Sequence, residues 1–177
     1  PRAVVITPAA GRGQRMGSDI PKQYLSVDGQ PLLAHTLRAI HACERVSGLL
    51  VAIHPDDRQR FDAIASSVGP KLRPAVIGGT QRVDSVQQAL NALEVADDIV
   101  LVHDAVRPWV STDLVTNIVE AALRHGAAIA AVPATDTVKQ VEDGIVIGTP
   151  DRRQLWNAQT PQGFRRSLLE EAFARRD

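Results

Sequence analysis

Short apolar runs alternate along the chain with amphipathic stretches of about ten residues or more, and this alternation predicts βαβ units. Five runs are rich in Val and Ile or continuously apolar, and Gly, Pro or Asp bounds them, which is typical of buried strands. The predicted strands are residues 3–7, 49–54, 74–77, 99–103 and 127–132. The fold class is therefore α/β, with a sheet covered by helices.

The amphipathic stretches between these strands predict four helices. Residues 31–42 begin with Pro31, which suits the first turn of a helix, and carry apolar residues at helical spacing. Ser111 offers a capping oxygen to a second helix, which Gly126 ends. Two further helices are expected over residues 58–68 and 82–93. Residues 151–164 contain a Pro-fixed polar segment that we interpret as a loop.

A change of pattern after Pro133 predicts a β-hairpin. Residues 137–142 and 145–149 alternate between apolar and polar positions, and Asp143-Gly144 between them is a typical hairpin turn. Because a lone hairpin is marginally stable in water, its outward Val and Ile residues predict a partner chain. We therefore interpret residues 1–177 as a single domain with an arm at about 134–153.

The composition narrows the functional classes. Twenty Lys and Arg balance twenty Asp and Glu in 177 residues, so the totals predict no bulk attraction to nucleic acid or to anionic lipid. A single cysteine excludes an intramolecular disulfide framework and a Cys-rich zinc site, and it favours a reducing compartment such as the cytoplasm. The longest apolar runs are strand-sized and no signal-peptide pattern is visible, so we expect no membrane anchor.

The strongest local motif is Pro8-Ala-Ala-Gly-Arg-Gly-Gln-Arg-Met, directly after the first predicted strand. Its small residues let backbone N–H groups approach an anion closely, as a polyphosphate requires. The spacing matches neither the dinucleotide fingerprint, since Met16 replaces the third Gly, nor a P-loop, since no Gly-Lys-Ser/Thr follows. Arg15 and Lys22 add two cations, which suits phosphoryl or nucleotidyl transfer. The alternative is an ordinary strand-to-helix connection with solvated basic residues.

A second polar cluster follows the predicted strand at residues 99–103. Asp104 and Arg107 come just beyond the carboxyl end of this strand, where open α/β sheets bind ligands. A single carboxylate there suits Mg²⁺ that is also bound by substrate phosphates. In the alternative interpretation, Asp104 caps the next turn and pairs with Arg107. Small residues at 78–80, before a predicted helix, suggest either contacts to a base or ribose or a plain helix cap.

Six segments follow one another along the chain: residues 8–16, 21–25, 78–86, 102–108, 136–139 and 159–164. Taken together in this order, they resemble the 2-C-methyl-D-erythritol 4-phosphate cytidylyltransferase family of the non-mevalonate isoprenoid pathway. Pro21-Lys-Gln-Tyr-Leu and Thr160-Pro-Gln do most to separate this family from other sugar-nucleotide transferases. The resemblance implies a Rossmann-like nucleotidyltransferase fold, a homodimer clasped through the hairpin arm, and transfer of CMP from CTP to methylerythritol phosphate with release of pyrophosphate.

The resemblance also implies a role for individual residues. Those expected to line the CTP phosphates are Ala9, Ala10, Gly11 and Gly13. Those expected to stabilise the transition state are Arg15 and Lys22. Those expected to hold the cytidine are Gly79, Thr80, Ser85 and Ala105. Asp104 is expected at the Mg²⁺ site. Those expected to position the polyol phosphate, in part across the dimer interface, are Arg107, Thr137, Arg152 and Thr160.

This chain departs from the family pattern at two places. Val106 stands where the family usually has Ala, and the chain ends at Asp177, before the family's C-terminal segment with its substrate-binding lysine. Three alternatives stay open: a cytidylyltransferase for another polyol phosphate such as ribitol 5-phosphate, a non-catalytic CTP-binding module, and a nicotinamide oxidoreductase. The Arg15 and Lys22 pair disfavours the second alternative, and the glycine spacing disfavours the third. The single cysteine makes the cytoplasm the expected compartment, with the plastid as the alternative if the source is a plant or alga.

Overall fold

The computed structural model describes residues 3–12 and 20–176, which form ten β-strands and five α-helices. The strands are β1 (Ala3–Ala9), β2 (Ser26–Val27), β3 (Gln30–Pro31), β4 (Val46–Ile53), β5 (Val76–Ile77), β6 (Ile99–Val102), β7 (Ala127–Pro133), β8 (Gln140–Glu142), β9 (Ile145–Gly148) and β10 (Trp156–Arg165). The helices are α1 (Leu32–His41), α2 (Arg58–Ala65), α3 (Arg82–Asn91), α4 (Thr112–His125) and α5 (Arg166–Ala174). None of the helices in this described part is long and apolar enough to cross a membrane.

A six-stranded sheet in the order β5-β4-β1-β6-β10-β7 forms the centre of the molecule. Strand β1 pairs in parallel with β4 and β6, and β4 pairs in parallel with β5. Strand β10 is antiparallel to both of its neighbours, β6 and β7. The carboxyl ends of β1, β4, β5 and β6 therefore meet at one edge of the sheet, and β10 begins near that same edge.

Helices cover both faces of the sheet, because successive side chains of a strand point to opposite faces. In β1, Val5 packs into a core that includes residues of α1, α2 and α4, whereas Val4 and Ile6 pack with residues of α3 and α5. All three side chains are at most 1% exposed. Burying one such side chain stabilises the fold by roughly 1.5–3 kcal/mol, so this alternation holds the three layers together.

The five predicted strands and the four predicted helices are confirmed, with shifts at their ends. The predicted caps of α4 are also confirmed: the Ser111 Oγ accepts a hydrogen bond of 3.2 Å from the backbone N–H of Leu114, and Gly126 ends the helix with φ of +90°. A Cβ at Gly126 would meet strain at this angle, which explains the glycine.

The interpretation of residues 151–164 as a polar loop is wrong. Most of this segment is the sixth sheet strand, β10, and α5 follows it. The segment is polar and contains Pro161, yet it forms a strand because β6 and β7 pair with it from both sides. The pairing with β7 is interrupted between Ala158 and Gln162, and Pro161, which lacks an N–H, lies in that interruption.

The predicted hairpin is present as β8 and β9, which form a separate two-stranded sheet. Its turn is built by Asp143 and Gly144, both at positive φ (+48° and +79°), as a tight hairpin turn demands. The exposed apolar residues of the hairpin are Val141, Ile145, Val146 and Ile147. The dimerisation of this arm stays a prediction.

Candidate active site

A cavity of about 290 Å³ opens at the sheet edge where the parallel strands end. It lies between the segment after β1, the turn that contains Lys22, the start of α3 and the loop after β6. The predicted site residues that line it are Ala9, Ala10, Gly11, Lys22, Gly79, Thr80, Ser85, Asp104 and Ala105. Four segments that are distant in sequence therefore converge at one place. Gly13 and Arg15, which the sequence also predicts at this site, lie outside the described residues.

A second cavity, of about 580 Å³, lies beside the first and shares part of its wall. Lys22 and Asp104 line both cavities, whereas Arg107 and Thr160 line only the second. Two ligands, one in each cavity, would thus meet at an ammonium and a carboxylate. This arrangement suits the transfer of a group between two bound molecules.

Thr137 and Arg152, which the sequence predicts at the acceptor site, line neither cavity of the chain. Both are exposed, and the Arg152 guanidinium donates a hydrogen bond of 2.9 Å to the carbonyl of Thr135 at the base of the arm. The fold of one chain does not bring these two side chains to the cleft. Their contribution across a dimer interface stays a prediction.

Asp104 is held between two arginines. The Arg82 guanidinium donates to its Oδ1 at 2.9 Å, and the Arg107 Nε donates to its Oδ2 at 3.1 Å. Burial raises the pKa of Asp104, but hydrogen bonds and charges from Arg82 and Arg107 lower it more, so the net pKa lies below the usual value. Asp104 is therefore an ionised carboxylate at neutral pH, and the ion pair with Arg107 that the sequence allowed is present.

The donor set at Asp104 fits a magnesium ion that shares its ligands with a substrate. Asp104 is the one carboxylate among the described residues that line the two cavities. Nowhere in residues 3–12 and 20–176 do three or more His, Cys, Asp or Glu side chains gather as a metal cluster. Mg²⁺ is commonly bound by one or two carboxylates together with substrate phosphates and water. This set can hold the ion only in company with a phosphate ligand.

Thr160 is fixed by a buried hydrogen-bond network at the end of β6. The Nε2 of His103 lies 3.0 Å from the carbonyl of Arg107, and because a carbonyl only accepts, Nε2 carries the proton. Burial lowers the pKa of His103, so the imidazole is neutral and its Nδ1 accepts. The Thr160 hydroxyl, 3.1 Å away, therefore donates to Nδ1, and it accepts from the backbone N–H of Asp104 at 3.2 Å.

This network gives Thr160 a role that its sequence position alone does not reveal. Its hydroxyl proton is committed to His103, so Thr160 retains a lone pair for a ligand but no proton to donate. It connects β10 to the loop that carries Asp104 and Arg107. Its contact with a phosphate, which the sequence predicts, stays a prediction.

The loop before α3 is held in place by Ser85. The Ser85 Oγ accepts from the backbone N–H of Gly79 and donates to the carbonyl of Gln81, both at 3.2 Å. Gly78 packs so closely here that an added Cβ would lie 2.6 Å from both the Ala10 Cβ and the Ser85 Oγ. The absence of a side chain at Gly78 thus lets this loop approach the segment after β1.

Two cavity residues, Gln23 and Arg82, were not identified as functional from the sequence. Arg82 pairs with Asp104, and the buried Gln23 contacts the segment after β1. Both lie inside the segments that carry the family resemblance, and this position is the feature of the sequence that could have identified them. Conversely, the basic Arg12 of the predicted phosphate loop donates to Asp56 at 2.6 Å, so its charge is engaged by the turn after β4.

Comparison with known proteins supports a single family. The family model described as 2-C-methyl-D-erythritol 4-phosphate cytidylyltransferase matches residues 3–177. The enzyme of that name from Syntrophus aciditrophicus (strain SB) is 43% identical over 176 residues, which cover 98% of this chain and 75% of the relative. The bifunctional enzyme IspD/IspF from Anaeromyxobacter dehalogenans (strain 2CP-C) is 48% identical over 177 residues, and the chain spans 45% of its length.

Solved structures agree with this assignment. The crystal structure of Francisella tularensis 2-C-methyl-D-erythritol 4-phosphate cytidylyltransferase matches with a TM-score of 0.80 and 37% identity, over 98% of this chain and 77% of that one. The 4-diphosphocytidyl-2C-methyl-D-erythritol synthase from Anaerococcus prevotii DSM 20548 matches with a TM-score of 0.86 and 30% identity, over 99% and 78%. The resemblance in the sequence motifs and the predicted fold class are thereby confirmed.

Proposed function

Since this chain belongs to the 2-C-methyl-D-erythritol 4-phosphate cytidylyltransferase family of nucleotidyltransferases, we propose that its two adjoining cavities catalyse the family's reaction. CMP is transferred from CTP to 2-C-methyl-D-erythritol 4-phosphate, and pyrophosphate is released. The observation that carries the proposal is the shared wall of the two cavities at Lys22 and Asp104. CTP occupies the smaller cavity, and the polyol phosphate occupies the larger one.

The smaller cavity suits a nucleoside triphosphate because small residues form its walls. Ala9, Ala10 and Gly11 let backbone N–H groups contact the phosphates, and among the described residues a Cβ at Gly11 would meet no atom within 4 Å. Gly79, Thr80, Ser85 and Ala105 line the same cavity and contact the cytidine. The carbonyl of Ala105 accepts a 2.9 Å hydrogen bond from the buried Thr36, which fixes that wall.

The reaction is a direct displacement at the α-phosphorus of CTP. A phosphate oxygen of the acceptor attacks in line, the bond to the β-phosphate oxygen breaks, and pyrophosphate leaves on the opposite side. A phosphomonoester is already anionic near neutral pH, so no strong general base is needed. The barrier comes from repulsion between two anions, the acceptor phosphate and the triphosphate. Lys22 and Arg15 offset this negative charge. Arg107 in the second cavity binds the acceptor phosphate.

A divalent cation fits this chemistry. Mg²⁺ would supply charge neutralisation on the triphosphate, and Asp104 would hold it together with phosphate oxygens. Arg82 and Arg107 bind the carboxylate oxygens of Asp104 at 2.9 and 3.1 Å, and Oδ2, which accepts from Arg107 alone, keeps a lone pair for the ion. Arg82 and Arg107 line the two cavities, so their positive charge lies beside the bound phosphate groups.

The acceptor site is completed by a second copy of the chain. The exposed apolar face of the β8–β9 hairpin needs a partner, and it lies on the arm that carries Thr137 and Arg152. In the homodimer these two side chains contact the polyol phosphate of the partner's cleft. The cytoplasm suits this enzyme, since its single cysteine, Cys43, is a free and buried thiol.

The test is pyrophosphate release by the purified chain with CTP and magnesium. We expect release with 2-C-methyl-D-erythritol 4-phosphate, and much slower release with ribitol 5-phosphate or with no acceptor. Release that depends on ribitol 5-phosphate instead would assign a different acceptor. CTP binding without any pyrophosphate release would identify a binding module and contradict the proposal.

A further inference from the structure

Gln23 is buried directly behind the segment that we assign to the CTP phosphates. It belongs to the short 3-10 helix Lys22–Tyr24 and is 2% exposed. Its Nε2 donates a hydrogen bond of 2.7 Å to the carbonyl of Ala9 and a second one of 3.1 Å to the carbonyl of Gly11. Both acceptors are carbonyl oxygens, which cannot donate, so the atom that faces them is the amide nitrogen.

These two hydrogen bonds determine which backbone groups face the cavity. A loop that binds an anion must direct N–H groups toward it, and carbonyl dipoles that face the same space would repel the phosphates. The Gln23 amide attracts the carbonyls of the two residues that flank Ala10. Both carbonyls therefore point toward Gln23. Because a trans peptide places a carbonyl and the next N–H on opposite sides, the N–H groups of Ala10 and Arg12 point away from Gln23.

The same residue connects the loop to Lys22. The turn that contains both residues is closed by a 2.8 Å hydrogen bond from the backbone N–H of Tyr24 to the carbonyl of Pro21. Lys22 and Gln23 are adjacent, and both line the nucleotide cavity. A change in the distance between Gln23 and the loop carbonyls would therefore also move the Lys22 ammonium relative to the phosphates.

We infer that Gln23 is a positioning residue for the CTP triphosphate: it orients the carbonyls of Ala9 and Gly11 away from the ligand and fixes Lys22 beside it. This inference rests on the proposed function of the cavity. Gln23 acts through the backbone, and it need not contact the nucleotide itself.

Three variants test the inference in the full chain. Gln23→Glu keeps the shape but replaces the NH₂ group with a carboxylate oxygen, which repels both carbonyls when ionised. Gln23→Met keeps the length and removes both donors without adding charge. Gln88→Glu is the matched control, because Gln88 is exposed on α3 and does not line the cavity. Circular dichroism and thermal melting establish that each variant is folded.

Steady-state kinetics should separate the two substrates. We expect both Gln23 variants to raise the KM for CTP by about tenfold or more and to lower kcat, while the KM for 2-C-methyl-D-erythritol 4-phosphate changes by less than about twofold. Gln88→Glu should match the wild type in all three constants. A fold defect would instead reduce the active fraction and leave both KM values unchanged.

The pH dependence distinguishes the two variants. As pH falls, the buried carboxyl of Gln23→Glu takes up a proton and can again donate to one carbonyl, so its activity relative to wild type should rise. Gln23→Met has no titrating group, and its relative activity should stay flat with pH. If Gln23→Glu fails to fold, the KM comparison on Gln23→Met still decides the question.

Two distinct failures are possible. If the wild type releases pyrophosphate and both folded variants keep its KM for CTP within about twofold, the positioning role is overturned while the proposed function stands. If the wild type releases none, the proposed function fails. Calorimetric titration with CTP then decides the role of Gln23: weaker binding to the variants than to Gln88→Glu supports it, and equal binding overturns it.

Discussion

Replacing Thr160 by Val tests the network at the end of β6 without changing the volume of the side chain. The Thr160 side chain is 8% exposed, and its hydroxyl donates to the Nδ1 of His103 and accepts from the backbone N–H of Asp104. Valine has nearly the same shape but can neither donate nor accept. The substitution therefore removes two hydrogen bonds and leaves both partners in place.

The expected cost follows from the burial of those partners. His103 is 1% exposed, so its Nδ1 would be left without a partner in a site that water does not reach. A buried group deprived of its hydrogen bond costs roughly 1–3 kcal/mol, and the partly exposed N–H of Asp104 costs less. We expect Thr160→Val to lower the free energy of unfolding by about 2–4 kcal/mol.

Urea denaturation of the wild type, Thr160→Val and Thr160→Ser measures this cost. Serine keeps the hydroxyl and loses one methyl group, so it should lower the free energy of unfolding by only about 1 kcal/mol. The reasoning would be refuted if Val and Ser destabilised the protein equally, or if Val cost less than Ser. Either result would mean that the hydroxyl does not carry the network.

Further predictions concern other parts of the molecule. Lys22→Ala should reduce the rate of pyrophosphate release by about a hundredfold or more, and a rate within a few fold of wild type contradicts its assigned role. Gly78→Ala should weaken CTP binding measured by calorimetry, because its Cβ would lie 2.6 Å from the Ala10 Cβ; unchanged affinity would show that the loop yields at no cost. The ion pair between Arg73 and the buried Asp97 (2.6 Å) should make stability sensitive to acid. Burial raises the pKa of Asp97, but the hydrogen bonds and charge of Arg73 lower it more, to a net value below the usual one. The contribution is therefore present above about pH 4 and is lost as pH falls, so in urea denaturation Asp97→Asn should flatten the decline of stability in acid. An identical decline in the variant would contradict this assignment.

The strands could be predicted from the sequence where a continuous apolar run marks them. Val and Ile runs such as residues 99–103 become buried strands because a parallel strand covered on both faces needs apolar residues throughout. Strand β10 could not be predicted in this way, because its polar residues are held by pairing with β6 and β7. Pairing between distant segments is not encoded in local propensity.

The candidate site, like the fold, could be predicted only in part from the sequence. The sequence placed Asp104 at the end of a strand, and the position is correct because parallel strands end at one edge. The contact between Arg82 and this carboxylate could not be predicted, because 22 positions separate the two residues. The packing of α3 beside β1 and β4 brings them together. The buried roles of His103 and Gln23 depend likewise on atoms that meet only in the folded chain.

The location of CTP is tested most directly by a crystal structure of this chain with CTP and magnesium. We expect the triphosphate to contact the backbone N–H of Ala10 and the ammonium of Lys22, with the cytosine beside Gly79 and Ser85. Nucleotide bound elsewhere, for example in the cavity between Asp98 and Arg166 at a distance from these residues, would contradict the assignment of the cleft.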